Sequence, residues 1–239
     1  MRLDRYISAI TGLSRRDVKA ALARGRVRVD GASVRDAAQQ LDEHSARVEL
    51  DGRLLEYRRH MHVMLNKPAG VLTATEDRTQ PTVLDLLPEQ LRVRGITPVG
   101  RLDKDTTGLL LLTTDGQLAH RLISPRHHVD KVYMARVDGA LDESDVRAFA
   151  QGMELSDFTA LPAELAIVRP DLARVTLGEG KYHQVKRMFA ARGKPVLELK
   201  RVRMGAIALD ERLAPGESRE LSADERRELY RCAGMDEAD

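Results

Sequence analysis

"GRLDKDTTGLLLLTTDG", Gly100 to Gly116, sets a block of four leucines between two polar loops that hold three aspartates, four threonines and three glycines. A short apolar run bounded by turn residues reads as a strand. Asp115-Gly116 follows that strand directly and precedes a helical segment, so Asp115 is expected to turn the chain or cap the helix, with Thr113 and Thr114 sharing the work. Asp103 and Asp105 lie upstream, in a loop between "TPVG" and the leucines, beside Arg101 and Lys104. Thr106 and Thr107 are suited to hydrogen-bond the backbone of that loop and hold it in one shape. On residue chemistry alone, an aspartate in such a loop is a salt-bridge or turn residue.

Working outward, "VMLNKPAGVLTAT" at 63–75 reads as a buried strand that runs into Asn66-Lys67-Pro68 and a Pro-Ala-Gly turn, then resumes with alternation. Downstream, strands are expected near Leu109 to Thr113, Lys131 to Val137 and Ala173 to Leu177, with helices near Gln117 to Ile123 and His183 to Arg192. At the C-terminus, Ser222 and Glu225 form a capping box that opens a further helix. Residues 62–239 therefore read as an α+β domain on a mixed or antiparallel sheet.

The N-terminal residues follow a different pattern. Leu3, Tyr6, Ile7 and Ile10 keep helical spacing, and "TG" breaks the chain. Ser14 with Asp17 then reads as a capping box before Val18, Ala21 and Leu22, with Gly25 closing the second helix. In "RVRVDG" the period switches to two, Val27 and Val29 opposite Arg26 and Arg28, before an Asp30-Gly31 turn. Charged residues 56–61 read as a linker between a unit at 1–55 and the larger domain.

The composition limits what such a chain can be. With 239 residues and 42% hydrophobic content, a substantial core is available. The single cysteine, Cys232, cannot form an internal disulfide, which fits a reducing compartment. No apolar window reaches the length of a membrane span and no signal peptide is evident, so the cytoplasm is the expected location. Net charge is only +2, yet residues 1–35 carry nine bases against three acids, and residues 181–203 carry eight against one. Two basic islands suit a polyanion held at two places. With 3% aromatics, binding by base stacking alone is not expected.

The N-terminal helix-helix-strand pattern resembles the S4-type RNA-binding module. "GRLDKDTTGLLLLTTDG" resembles the central motif of the RNA pseudouridine synthases of the small-subunit type. "LNKPAG" upstream, and "SPRHHVDKVYMARVDG" and "GKYHQVKRMFAARGKPV" downstream, extend the likeness over nearly the whole chain. The resemblance implies an enzyme that breaks the bond between uracil N1 and ribose C1′, turns the base and rejoins it through C5, without metal, nucleotide or redox cofactor. It implies Asp103 as the catalytic carboxylate, Lys186 as the cation against it, with Arg187 as the adjacent rival, and Tyr133 as the ring packed on the target base. Arg101 is expected to bind phosphate or hold the RNA open. Arg15, Arg16, Lys19, Arg26 and Arg28 are expected to contact RNA, as are Lys67, His183, Gln184 and Arg187; His183 and Gln184 are alternatively fixers of the loop before the Lys186 helix.

His127, His128 and His183 show no metal-ligand spacing. "GEGK" at 178–181 lacks the spacing of a phosphate loop. The implied partner is ribosomal RNA or an assembling small ribosomal subunit, met by a monomer, and "SPRHH" with Lys131 and Tyr133 most resembles the member acting on 16S rRNA. The competing readings are a 23S enzyme and a non-catalytic S4-type RNA-binding or ribosome-assembly protein. A hydrolase using Asp103 and Asp105 as a carboxylate pair is disfavoured, because two acids two residues apart need not face one substrate.

Overall fold

The computed structural model describes all residues except 44, 56–59 and 237–239. The expected linker therefore lies largely outside the described residues. Two compact units emerge, Met1–Met61 with Val93–Gly95, and His62–Arg92 with Ile96–Ala238. No described helix is long and apolar enough to cross a membrane.

In the first unit, α1 (Leu3–Thr11) and α2 (Arg15–Ala23) precede β1 (Val27–Val29), β2 (Ala32–Ser33), β3 (Val48–Leu50) and β4 (Arg53–Leu55). Gly12 ends α1 in the left-handed conformation, which a residue without Cβ adopts at least cost. Ser14 caps α2 by accepting from the Asp17 amide. The reciprocal arm of the expected capping box is replaced, since the Ser14 hydroxyl donates to the Asp17 carboxylate at 2.5 Å. Leu3, Tyr6 and Ile7 of α1 close on Val18, Ala21 and Leu22 of α2 and on Val27, Val29 and Val48 of the sheet. Each large aliphatic buried there contributes about 1.5–3 kcal/mol. Asp30 and Gly31 both take positive φ, as a two-residue hairpin between β1 and β2 requires. The valines of β1 are thereby buried and Arg28 is left outside.

The second unit opens with β5 (His62–Lys67), β6 (Thr97–Pro98), β7 (Thr107–Thr113), α3 (Gly116–Ile123) and β8 (Lys131–Val137). It continues through α4 (Glu143–Gln151), the short pair β9 (Met153–Glu154) and β10 (Thr159–Ala160), then β11 (Glu164–Arg169), β12 (Leu172–Leu177) and α5 (Gln184–Ala191). It closes with β13 (Val196–Met204), β14 (Ile207–Ala208), β15 (Ser218–Glu220) and α6 (Ala223–Cys232). The main sheet runs β11-β12-β8-β13-β7-β5-β15, with β6 beside β7 and β14 beside β13. Among the described strands only β7 and β13 pair in parallel, so the sheet is mixed.

The leucine block is a central strand covered on both faces, which is why it reads as a continuous apolar run. Leu109 and Leu111, with Met64, pack on Leu118 and Leu122 of α3 and on Leu229 and Tyr230 of α6. Asp115 caps α3 by accepting from the Gln117 and Leu118 amides, and it also accepts from the buried Tyr230 hydroxyl at 2.7 Å. The Ser222–Glu225 capping box opens α6 with both arms made. Gly108 has a φ of +95°, and a Cβ there would overlap the Arg201 carbonyl oxygen, so glycine permits β7 and β13 to meet.

Past Pro68 the structure departs from the expected resumed strand. Residues 71–75 form only an isolated bridge, Leu72 with Thr82. They are diverted onto the loop that precedes β7. The Gly70 amide donates to the Lys104 carbonyl at 2.8 Å, and Thr73 Oγ1 donates to the Leu102 carbonyl at 2.7 Å while accepting from the Leu102 amide.

Candidate active site

Lys67 of β5 pairs with Gly108 of β7, Gly108 with Arg201 of β13, Arg201 with Tyr133 of β8, and Tyr133 with Val175 of β12. Residues in one cross-strand row leave the sheet on the same side. Lys67, Arg201 and Tyr133 therefore share a face, opposite to Leu109 and Met64, which pack under α3 and α6. All three are buried, Lys67 completely. Arg201 donates through Nε to the Leu109 carbonyl at 2.8 Å, while its Nη2 has no hydrogen-bond partner among the described residues. Lys131, two residues before Tyr133 and on its side of β8, is also buried and donates to the Val129 carbonyl. This side of the sheet thus carries three buried cationic residues.

Lys67 corrects one expectation. It was a candidate RNA contact, but its ammonium is sealed inside the loop that carries Asp103. It donates to the carbonyls of Pro68 at 3.0 Å, Asp103 at 3.1 Å, Lys104 at 3.3 Å and Thr106 at 3.0 Å. Four inward-turned carbonyls collect around one cation because a loop without ladder partners must satisfy its buried polar groups some other way. Burial pushes the Lys67 pKa down to about 8, against the opposing pull of Asp105 and Asp103.

On this loop the Asp103 side chain is one-quarter exposed. His183 Nε2 stands 3.2 Å from Oδ1 and Lys186 Nζ 3.0 Å from Oδ2, with the Thr106 hydroxyl 3.5 Å from Oδ2. His183 and Lys186 reach one carboxylate because they are three residues apart at the start of α5, the spacing that brings side chains to one side of a helix. The turn before α5 is pinned from within. Glu179 accepts from the Leu161 amide and from the Gln184 side chain, which in turn accepts from the Lys181 amide. Gln184 is buried and its side chain is engaged within the turn, which supports the loop-fixing one of its two expected roles. His183 sits in the left-handed conformation at the head of the helix.

Spacing alone left Lys186 and Arg187 as rivals, and the structure separates them. Successive helical residues diverge by about 100°. Lys186 meets Asp103 and, at 2.5 Å, Asp105. Arg187 turns the other way, to Asp157, Ser156 and the Phe158 ring. Burial alone would lower the Lys186 pKa, but the hydrogen bonds and charges of Asp105 and Asp103 raise it above the ordinary lysine value. The same contact with Lys186 holds Asp105 below the usual carboxylate range despite its partial burial. Both aspartates thus converge on one ammonium, a proximity their separation in sequence did not demand. Oδ2 faces both Lys186 and the Thr106 hydroxyl, whereas Oδ1 keeps a lone pair beyond the one used by His183, so the carboxylate can still accept or attack.

Arg101 is exposed two residues from Asp103, and Lys104 is held by Gln80. In the first unit Arg15, Arg16, Lys19, Arg26 and Arg28 are all exposed, but Arg26 is already paired with Asp51. Three features escaped the sequence reading: the internal role of Lys67, the sharing of Lys186 by Asp105, and Glu179 as the partner through which Gln184 fixes its turn. For Lys67 the available signal was a lysine placed two residues after the apolar run Val63–Leu65, at the end of a buried strand.

Comparison with known proteins bears on this geometry. Residues 61–191 match the family model described as RNA pseudouridylate synthase, and residues 1–46 match the S4 domain. A protein of Pseudomonas aeruginosa named ribosomal small subunit pseudouridine synthase A is 48% identical over 228 residues, covering 94% of this chain and 98% of that protein. Its Escherichia coli namesake is 44% identical over 229 residues with the same coverage. A crystal structure described as a pseudouridylate synthase superposes with a TM-score of 0.68 at 36% identity, covering 96% of this chain and 99% of that one.

Proposed function

The chain belongs to the RNA pseudouridylate synthase family, and from that premise we propose that it isomerises one uridine to pseudouridine in ribosomal RNA, specifically the small-subunit 16S rRNA. The observation that carries the proposal is Asp103, partly exposed and held between His183 and Lys186 on a loop organised by Lys67. The choice of RNA follows the relatives named for the small subunit, which match this chain over nearly its whole length.

Breaking the bond from N1 to C1′ and forming one from C5 to C1′ leaves N1 protonated and C5 deprotonated, so nothing is oxidised or consumed. Attack on C1′, attack on uracil C6 and removal of a ribose proton all require Asp103 as the anion. Lys186 orients that carboxylate through a charge-assisted hydrogen bond at 3.0 Å. Tyr133, on the same side of the sheet as Lys67, is the ring on which the target base packs. A uridine must leave its stack to reach this site, and exposed Arg101 grips phosphate beside the gap. Arg15, Arg16, Lys19 and Arg28 of the S4 domain add affinity through phosphate contacts. The protein works in this way as a cytoplasmic monomer, on rRNA or an assembling subunit.

The test is to incubate unmodified 16S and 23S transcripts with the purified protein and map pseudouridine. One modified position in 16S rRNA is expected, lost in Asp103→Asn while RNA affinity stays within a few-fold. Wild-type turnover by Asp103→Asn refutes the assignment of the carboxylate. Modification confined to 23S rRNA refutes the choice of substrate, and binding without modification of either supports the non-catalytic reading instead.

A further inference from the structure

Only eight residues of this chain are Phe or Tyr and none is Trp, yet Tyr182 is left 71% exposed, more than any other large hydrophobic side chain described. Its ring is nevertheless held in place. It lies on the His183 imidazole with centroids 3.9 Å apart and planes inclined by 17°. His183 is itself held by its contact with Asp103, and the Glu179–Gln184 hydrogen bond pins the turn that carries both rings. One face of Tyr182 is therefore covered by an imidazole that touches the carboxylate, and the ring is otherwise largely open to solvent. An aromatic ring fixed in this way is a stacking platform one ring away from the reacting group.

We propose that the open face of Tyr182 is a nucleobase subsite, which stacks the base adjacent in the RNA chain to the target uridine. The inference rests on the reading of Asp103 as the carboxylate that acts on an extruded uridine. Extrusion breaks the stack of the neighbouring base, and an aromatic face beside the site replaces it. Because every base has a π-face, such a contact positions the RNA without selecting its sequence. Tyr182 is thus a positioning residue. Lys181, exposed and next to Tyr182 in the chain, places positive charge close by for a flanking phosphate.

The experiment uses the full chain and ligated 16S transcripts carrying an abasic residue immediately 5′ or 3′ of the mapped uridine. With wild-type protein, one of the two abasic positions is expected to raise KM by roughly 5- to 150-fold, the range that loss of one base–aromatic stack implies, with kcat little changed. Tyr182→Ala is expected to raise KM on intact RNA by a similar factor and to remove the abasic penalty, and Tyr182→Phe to restore both. An unchanged KM in Tyr182→Ala, or an abasic penalty that persists undiminished in it, overturns the subsite. Failure of the underlying reading is distinguishable, because wild-type protein would then form no pseudouridine in the intact transcript; that result overturns the inference along with it.

Discussion

Replacing Lys67 by Met keeps the length of the side chain and removes its ammonium from among four carbonyl groups. Two of these keep another donor, the Thr106 amide for Asp103 and the Gly70 amide for Lys104. The carbonyls of Pro68 and Thr106 have only the ammonium among the hydrogen bonds described. An unsatisfied buried acceptor costs about 1–3 kcal/mol, so two cost roughly 2–6 kcal/mol, with little added cavity term from a side chain of similar volume. In a domain of this size about 1 kcal/mol moves Tm by roughly 2–4 °C, so Lys67→Met is expected to melt about 10 °C lower by calorimetry at pH 7.

The pH dependence gives a second reading of the same site. The folded-state pKa of Lys67 is about 8, below the ordinary lysine value of 10.5. Between those values the unfolded chain binds the extra proton and the folded chain does not, so wild-type stability rises with pH across that window. Lys67→Met lacks this contribution, and the gap in Tm should widen from pH 7 to pH 10. A variant melting within 2 °C of wild type, or a gap independent of pH, would refute the account of Lys67 as a buried cation that organises the loop.

Three further outcomes are expected. Lys186→Met should lower kcat by roughly 100-fold or more, because about 3 kcal/mol is lost when a partly buried carboxylate loses its hydrogen-bonded cation. Arg187→Met should leave kcat within a few-fold, since its partners are in the 156–158 loop, and equal losses in single-turnover assays of the two variants would contradict the division of roles. Replacing Arg15, Arg16 and Lys19 together by Ala should flatten the dependence of log K on log salt by roughly 2, from about 0.7 for each single-stranded phosphate contact removed. An unchanged slope in filter binding would remove those residues from the RNA interface.

Local pattern was enough to read five of the helices and several central strands, but not α4 or the long strand β13. The strand at Lys131–Val137, the helix at Gly116–Ile123 capped by Asp115, and the N-terminal pair of helices follow from hydrophobic period and capping chemistry, which act over a few residues. The ordered motifs also pointed to Asp103, Tyr133 and Lys186 through family likeness, before any distance was known. What local pattern could not supply was the partner of each charge. Whether Lys186 or Arg187 meets Asp103 depends on the rotation of α5 about its own axis, which is set by the burial of Gln184, Val185, Met188 and Phe189. That Lys67 points inward at a loop beginning some 36 residues later depends on how β5 and β7 pair. In the same way the extended strand expected after Pro68 gives way to hydrogen bonds with Leu102 and Lys104 that exist only once the chain has folded back. Sequence by itself determined the capped helices, the most regular strands, the two basic islands and the family, because these are encoded in runs of neighbouring residues. The tertiary structure alone decided which ions and carbonyls meet, because such contacts join residues distant in the chain and their geometry depends on packing throughout the sheet.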